Sequence, residues 1–148
     1  MKKPDKHSKY FEGILQLRNP SEELINYVYK RIDKDNQAWI SQEKKVRGGI
    51  DLYLSSQKYL RQLGKKLKER FPGSLKTSRK LFTVQRGTGK KLYRVTVLFR
   101  LYPFKVGGII EISGEKYKVL KIDKQVTVQN LKSGKKEQIK PEEIERWI

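Results

Sequence analysis

The strongest constraint on the fold is a pair of long strand-like segments, in the second of which apolar and polar residues alternate. They span residues 75–85 and 91–101 and are joined by Arg86-Gly87-Thr88-Gly89. Alternation with a period of two is typical of β-strands that have one buried face. A short connection that contains glycine favours a hairpin turn. The sequence therefore predicts two long paired strands at the end of the first hundred residues.

Three shorter segments upstream of this hairpin are also predicted as strands, and the first and third of them show the same alternation. They are residues 10–18, 39–46 and 50–54. In the first of them, Phe11, Leu15 and Leu17 are predicted on the buried face and Arg18 on the other, because alternate side chains of a strand point to opposite sides.

Two helices are predicted between these strands. Asn19-Pro20 is expected to begin the first helix, with Asn19 as its N-cap and Glu22 completing a capping box. The second helix is expected to begin at Ser55 or Ser56 and to end near Phe71, before Pro72-Gly73. The order β-α-β-β-α-β-β predicts an α+β, ferredoxin-like domain with one added strand, in which two helices cover one face of a mainly antiparallel sheet.

The last part of the chain has closely spaced turn signals and short apolar runs. The turns are expected at Gly107-Gly108, Ser113-Gly114, Asp123-Lys124 and Ser133-Gly134. This spacing predicts a small β-barrel that resembles SH3-like barrels, with a helical turn after Pro141 and with Ile144 and Trp147 plugging its end. A spacer or docking role is expected for it. The predicted divisions are a polar arm at 1–9, a basic α+β RNA-binding domain at 10–101 and the small SH3-like β-barrel domain at 102–148.

The charge of the chain indicates which classes of partner it binds. Its 35 Lys and Arg against 16 Asp and Glu give a net charge of +19. Between Lys58 and Arg100 there are 14 basic residues and one acidic residue, Glu69. A charge of this size attracts polyanions, first nucleic acid and second an anionic membrane surface. No apolar run approaches the ~18 residues of a membrane span, and no signal peptide is visible, so a cytoplasmic protein is expected.

Catalysis is not expected, and neither is a cofactor or a bound metal. Cysteine is absent, which excludes a thiolate nucleophile and a Cys-ligated zinc site within this sequence, and the single histidine is His7. Nothing brings Asp33, Asp35 and Asp51 together in sequence for acid–base chemistry. The GTGK at 87–90 lacks the full phosphate-loop pattern and joins two strands, so a hairpin turn is the better interpretation.

The candidate nucleic-acid-binding residues form three groups of Lys and Arg. The first lies on the second helix: Lys58, Arg61, Lys65, Lys66 and Lys68. The second lies on the hairpin: Arg79, Lys80, Arg86, Lys90 and Lys91. The third extends over the open face of the sheet: Arg18, Arg94 and Arg100. Gly87 and Gly89 are expected to let the turn approach a nucleic-acid backbone closely. Tyr53 is either a thin stacking platform on that face or a partly buried cross-strand contact.

Four strings in the first domain carry a family resemblance. They are YFEGILQLRN (10–19), VRGGIDLYLSS (46–56), LGKKLKERFPGSLKTSRKL (63–81) and GKKLYRVTVLFRL (89–101). They resemble the central region of the ribosomal large-subunit (60S) export adaptor family, also called nonsense-mediated mRNA decay protein three, in its archaeal form. The segment at 103–148 looks like the next domain of that family.

The resemblance implies a large-subunit partner. The central region of that family is similar in layout to translation factor five-A and occupies the tRNA sites near the L1 stalk. That placement implies that this chain contacts ribosomal RNA (rRNA) and, as a further partner, ribosomal proteins near that stalk. Members of the family begin with a Cys-x-x-Cys zinc module, which this chain lacks.

The expected function is a maturation or quality-control factor that binds the large ribosomal subunit and contacts rRNA at or near the tRNA sites. Two alternatives stay open at this point. One is a translation-factor-like module that binds structured RNA without the ribosome. The other is a nucleic-acid-processing enzyme, for which a divalent-metal-dependent cleavage lost on Asp51→Asn would be diagnostic.

Overall fold

A computed structural model describes residues 9–148. The predicted arm at 1–9, with His7, lies outside the described residues except for its last position. The described chain forms two compact units that divide between Leu101 and Tyr102. The first unit contains β1 (Gly13–Arg18), α1 (Glu22–Asp35), β2 (Ile40–Val46), β3 (Gly49–Leu54), α2 (Gln57–Arg70), β4 (Gly73–Val84) and β5 (Lys91–Leu101). The second contains β6 (Ile109–Ile112), β7 (Glu115–Ile122), β8 (Val126–Asn130), β9 (Lys136–Ile139) and α3 (Pro141–Trp147).

The first unit is a five-stranded mixed sheet in the order β2-β3-β1-β5-β4. β1 runs antiparallel to β3 and parallel to β5. In a plain ferredoxin-like layout the strand that follows the second helix lies beside β1. Here β5 lies beside β1 instead, and β4 forms the edge of the sheet. The burial of the two strands accords with this order, because Val95, Val97 and Phe99 of β5 are fully buried, whereas β4 is exposed from Lys76 onward.

The two helices and one face of the sheet share a single apolar core. The sheet contributes alternate residues of β1, β3 and β5, and each helix contributes a stripe spaced at three or four positions. The helix residues are Leu24, Val28 and Ile32 from α1, and Leu60, Leu63 and Leu67 from α2. The opposite face of the sheet is not covered by either helix of this unit, so it is the open face predicted from the sequence.

The N-terminus of α1 differs from the prediction. Ser21 is the N-cap, and its Oγ accepts a hydrogen bond from the backbone N–H of Leu24 at 3.1 Å. Asn19 instead adopts a left-handed conformation with φ of 52°, and its side-chain amide donates to the carbonyl oxygen of Leu101. The predicted Asn19 cap and its capping box are therefore wrong. Asparagine tolerates the left-handed region better than most residues, and the chain uses it to turn out of β1.

Of the two serines before α2, Ser56 is the N-cap. Its Oγ accepts from the backbone N–H of Tyr59 at 3.2 Å. Ser55 is buried, and its Oγ accepts from the backbone N–H of Trp39 at 2.9 Å. The serine that the sequence left as an equal candidate thus connects the start of α2 to the segment that precedes β2.

A polar cluster joins α1 to α2 around Asp35. The Tyr59 hydroxyl donates to Asp35 Oδ2 at 2.8 Å, Arg31 Nη2 lies 3.0 Å from Oδ1, and Lys66 Nζ lies 3.5 Å from Oδ2. Burial acts to raise the pKa of Asp35, but the hydrogen bond from Tyr59 and the charges of Lys66 and Arg31 outweigh it, so the pKa is lowered from its ordinary value. Burial and the Asp35 carboxylate raise the pKa of the Tyr59 hydroxyl.

We expect this cluster to make stability depend on pH at the acid end. Because the pKa of Asp35 is lower in the folded state, its contribution is complete above the unfolded value of about 4 and is lost as the pH falls through the folded value. Urea unfolding of Asp35→Asn should show lower stability than wild type at neutral pH, and the difference should shrink in acid. Asp33→Asn, an exposed position on the same helix, is the matched control. A difference that stays constant down to acid pH would contradict the assignment.

The second unit is a four-stranded antiparallel sheet in the order β6-β7-β8-β9, followed by α3. Ser113, Gly107, Gly114 and Gly134 have positive φ, which confirms three of the predicted turns. The end strands β6 and β9 do not pair within the described residues, so the sheet is open and the predicted closed barrel is not observed. Ile144 is fully buried in this unit, but the prediction for Trp147 as a second plug is wrong, because its side chain is 49% exposed.

Candidate nucleic-acid interface

The solvent side of α2 carries a row of basic residues, the helix stripe, formed by Lys58, Arg61 and Lys65. All three are exposed, and none forms an ion pair with another described residue. The first turn of α2 contains no acidic residue. The buried residues of the helix repeat at three or four positions and face the sheet, so the stripe points away from the core.

Two further basic residues predicted for this group have partners inside the unit. Lys66 Nζ lies 3.5 Å from Asp35, as described above. Lys68 Nζ donates to the carbonyl oxygen of Gly73 at 2.7 Å, next to the start of β4. Their charges add to the field of the helix, but their ammonium groups also hold the ends of neighbouring elements.

The basic hairpin, residues 79–101, extends beyond the sheet. Its outermost pairing to β1 is Gly13 with Val95, whereas β4 and β5 continue to pair outward as far as Val84 with Lys91. The outer part, residues 80–94, is therefore a two-stranded ribbon that ends in an exposed turn, and we call it the outer hairpin. Gly87 and Gly89 have φ of +87° and +67°, and nothing lies within 4 Å of a Cβ placed on either glycine. The turn is thus open to the close approach that the sequence predicted.

The charges of the hairpin divide between its two faces. Paired residues share a face and successive residues alternate, so Lys80 and Arg94, which pair, lie on the open face together with Arg100. Arg79 lies on the opposite face, with its guanidinium 4.7 Å from the centre of the Tyr93 ring. The open-face arginines and the helix stripe are consequently on opposite sides of the sheet, and the fold does not bring them together.

Arg18 lies on the open face beside Arg100 but is already paired. Its Nη1 lies 2.8 Å from Asp51 Oδ1 and donates to the carbonyl oxygen of Leu17 at 3.0 Å. Arg100, its neighbour on β5, is exposed and forms no ion pair with a described residue. Lys44 and Lys76 also lie on this face by their pairing with Asp51 and Leu98, and sequence reasoning missed both of them.

A stack of rings and one guanidinium crosses the end of the open face. The guanidinium carbon of Arg94 lies 3.8 Å from the ring centre of Phe11 and 3.6 Å from that of Phe82. Arg94 Nε also donates to the carbonyl oxygen of Phe11. The Phe11 ring meets Tyr53 edge-on at 4.8 Å, and Lys44 Nζ lies 5.3 Å from the Tyr53 ring centre. We call Phe11, Arg94 and Phe82 the stacked ladder.

The predicted position of Phe11 on the buried face is wrong. β1 begins at Gly13, after Phe11, and a Cβ on Gly13 would clash with Leu60 Cδ2 and lie 2.7 Å from the carbonyl oxygen of Val95. The N-terminal part of α2 therefore packs against bare backbone at this point and leaves no room for an inward Phe11. Tyr53, for which two interpretations were open, is half-buried, and its ring contacts the Phe11 ring edge-on.

Exposed apolar side chains lie between the cations of the outer hairpin. Leu81, Phe82, Val84 and Leu92 are 46%, 56%, 50% and 38% exposed. A β-bulge between Leu81 and Thr83 interrupts the pairing at Phe82, which re-aims that side chain onto Arg94. The sequence interpretation treated this hairpin as purely electrostatic, although its FTV segment was visible as an apolar run in an otherwise basic strand.

Within 9–148, no three His, Asp or Glu side chains are placed to share a metal ion. Asp51, the residue singled out for a cleavage reaction, is engaged by Arg18. Of the helices in the described chain, none has the length and hydropathy that crossing a lipid bilayer requires.

Fold and surface together define a small basic α+β protein with an exposed cationic hairpin, a class suited to polyanionic partners. Residues 10–101 match the protein family described as "NMD3, second domain". The match spans more than half of the chain, so the chain belongs to the NMD3 family, whose members are ribosome-associated adaptors. This confirms the resemblance seen in the four sequence strings. None of the curated proteins compared with the chain is significantly similar to it.

Proposed function

We propose that the chain is a maturation or quality-control factor that binds the large ribosomal subunit and contacts rRNA at or near the tRNA sites. Family membership supports association with the large subunit. The observation that carries the rRNA contact is the basic hairpin, which projects beyond the sheet and contains seven Lys or Arg and no acidic residue. Lysine and arginine on an exposed ribbon neutralise phosphates and release their counterions.

The hairpin and the helix stripe have separate roles in this proposal. A ribbon with cations on both faces, such as Lys80 on one and Arg79 on the other, suits insertion between two phosphate backbones. The helix stripe, with Lys58, Arg61 and Lys65, follows a further phosphate track on the covered side of the sheet. Structured RNA is recognised largely by its shape and its phosphates, which loose cationic patches of this kind can contact.

Each of the two domains has its own role in this proposed function. Residues 10–101 act as the RNA-binding domain, a ferredoxin-like layout into which β5 is inserted beside β1. Residues 102–148 act as a small SH3-like module with a spacer or docking role, and ribosomal proteins near the L1 stalk are a further partner. The protein acts in the cytoplasm as a non-enzymatic binding factor. The strand order β2-β3-β1 and the antiparallel four-stranded second sheet support these assignments.

Co-sedimentation tests the proposal directly. The full chain is mixed with purified large subunits at low and high salt, with small subunits and bulk duplex RNA as controls. We expect retention on large subunits that exceeds both controls and declines as salt rises. Equal retention on all three would replace the ribosomal role by that of a general structured-RNA-binding module. Absence of retention on large subunits at low salt would contradict both functions.

A further inference from the structure

The outermost ring of the stacked ladder has a free face. One face of Phe82 is occupied by the guanidinium of Arg94, whose carbon lies 3.6 Å from the ring centre. The side chain is nevertheless 56% exposed, so the exposed area belongs to the other face and the rim of the ring. An aromatic ring that is fixed on one side and open on the other is the geometry on which a planar ligand stacks.

The ladder holds Phe82 in place before any ligand arrives. Arg94 is fixed by its hydrogen bond to the Phe11 carbonyl oxygen and by its contact with the Phe11 ring. Phe11 in turn packs against Tyr53 of β3, an internal strand of the sheet. The ring of Phe82 is therefore supported by a chain of contacts that leads back to the rigid part of the fold. Such support reduces the entropy lost when a ligand stacks on the ring.

The surroundings of Phe82 select a negatively charged ligand. Lys80 precedes it by two residues and lies on the same open face, and Arg86, Lys90 and Lys91 follow at the turn. None of these four forms an ion pair with a described residue. An apolar ring among unpaired cations matches a ligand whose flat apolar part is joined to anionic groups. A nucleotide with an unstacked base has that chemistry.

We infer that the outer hairpin around Phe82 is a stacking site for unpaired bases of RNA. The base stacks on the free face of Phe82, and the neighbouring lysines and arginines contact the phosphates on either side of it. Arg94 is a positioning residue that holds the ring. This inference rests on the proposed function for its choice of RNA, and it goes further, because cations alone would serve a duplex equally well.

Phe82→Ala in the full chain is the first test, with a single-stranded RNA oligonucleotide and a duplex RNA as the two probes. We expect the variant to bind the single strand about 5- to 100-fold more weakly than wild type, which is the usual range for losing one stacked base. Binding to the duplex and the salt dependence of both complexes should stay within about twofold, since no charge is removed. Leu81→Ala, a neighbouring position with similar exposure whose paired residue, Tyr93, places it on the other face, is the matched control and should bind both probes like wild type.

Two further variants test whether a base stacks at position 82 and whether Arg94 holds the ring in place. Phe82→Trp places a fluorophore at the stacking position, and its emission should be quenched when single-stranded RNA is added but not when duplex is added. Arg94→Lys keeps the positive charge but removes the flat group between the two rings, so it should weaken single-strand binding while leaving duplex binding unchanged. Both positions are at the surface or half-buried, and thermal unfolding of each variant verifies that it is folded.

The outcomes separate this inference from the proposed function. If wild type binds large subunits selectively and Phe82→Ala binds single-stranded RNA as well as wild type does, the stacking site is wrong and the ribosomal role stands. If Phe82→Ala loses large-subunit binding but keeps single-strand binding, Phe82 contacts a ribosomal protein and the inference is overturned. If wild type shows no preference for large subunits but Phe82→Ala loses single-strand binding, the stacking site stands without the ribosomal role.

Discussion

Binding to the large subunit is expected to lose a substantial part of its salt dependence when four unpaired cations of the outer hairpin are replaced by serine. The four are Lys80, Arg86, Lys90 and Lys91. If each neutralises one phosphate, the slope of log affinity against log salt should fall by about three. Between roughly 50 and 200 mM salt, wild type should then lose about a hundredfold more affinity than the variant. Co-sedimentation or fluorescence anisotropy across a salt series measures both slopes.

A control with the same change in net charge separates a local contact from a general attraction. Serine at Lys118, Lys121, Lys124 and Lys132 also removes four positive charges, but from exposed positions of the second unit. The control should keep most of the wild-type slope. Equal loss in both variants would mean that net charge alone drives the binding. Neither set of lysines or arginines forms an ion pair with a described residue, so the melting temperature should not fall.

The second large effect concerns two adjacent glycines, Gly48 in the turn between β2 and β3 and Gly49 at the start of β3. A Cβ on Gly49 would overlap the carbonyl oxygen of Leu17 on the neighbouring strand, and Gly49 pairs with both Arg18 and Val46. Gly49→Ala must therefore push apart the strands at this corner. We expect a loss of about 3 kcal/mol or more in the free energy of unfolding. That corresponds to a drop of at least about 12 °C in the melting temperature of the first unit.

Gly48→Ala is the matched control for this prediction. Gly48 has φ of +80°, but nothing lies within 4 Å of its added Cβ. The cost is therefore only that of a left-handed alanine, about 1–2 kcal/mol. Urea unfolding of both variants in a Trp147→Phe background, followed by the fluorescence of Trp39 in the first unit, compares them. Similar losses of stability in the two variants would contradict the prediction that the overlap between the Gly49 Cβ and the Leu17 carbonyl oxygen forces the strands apart.

Much of the first unit follows from local pattern. The order of its strands and helices agrees with the sequence prediction, because alternation and helical stripes report which face of each element is buried. Pattern does not report which strands are neighbours, so the position of β5 between β1 and β4 could not be predicted. Asn19 and Ser21 are both good caps two residues apart, and the choice depends on a bond from Asn19 to Leu101, 82 positions away.

The candidate site was predictable only in its charge. The basic residues were visible, but their faces depend on pairing across β1, β4 and β5. Lys66 and Arg18 are partly neutralised by Asp35 and Asp51, which are 31 and 33 positions away in sequence. The stacked ladder joins Phe11 to Arg94 across 83 positions, and no local pattern shows such a contact. Only the apolar segment around Phe82 could have suggested that this hairpin does more than attract phosphates.

The position of β5 sets the order in which the first unit can be assembled during synthesis. β4 pairs only with β5 within the described sheet, and one side of β1 also depends on it. A nascent chain that ends before residue 91 therefore has an unpaired β4 and an open edge on β1, with apolar side chains that lack their main partners. The strand that connects β1 to β4 is the last of this unit to be translated, so the native sheet forms only after Leu101 has been made, and its pairing with β1 joins segments far apart in sequence, which is slow. Until then the growing chain presents edges prone to incorrect pairing, and chaperone protection has its greatest effect in that interval.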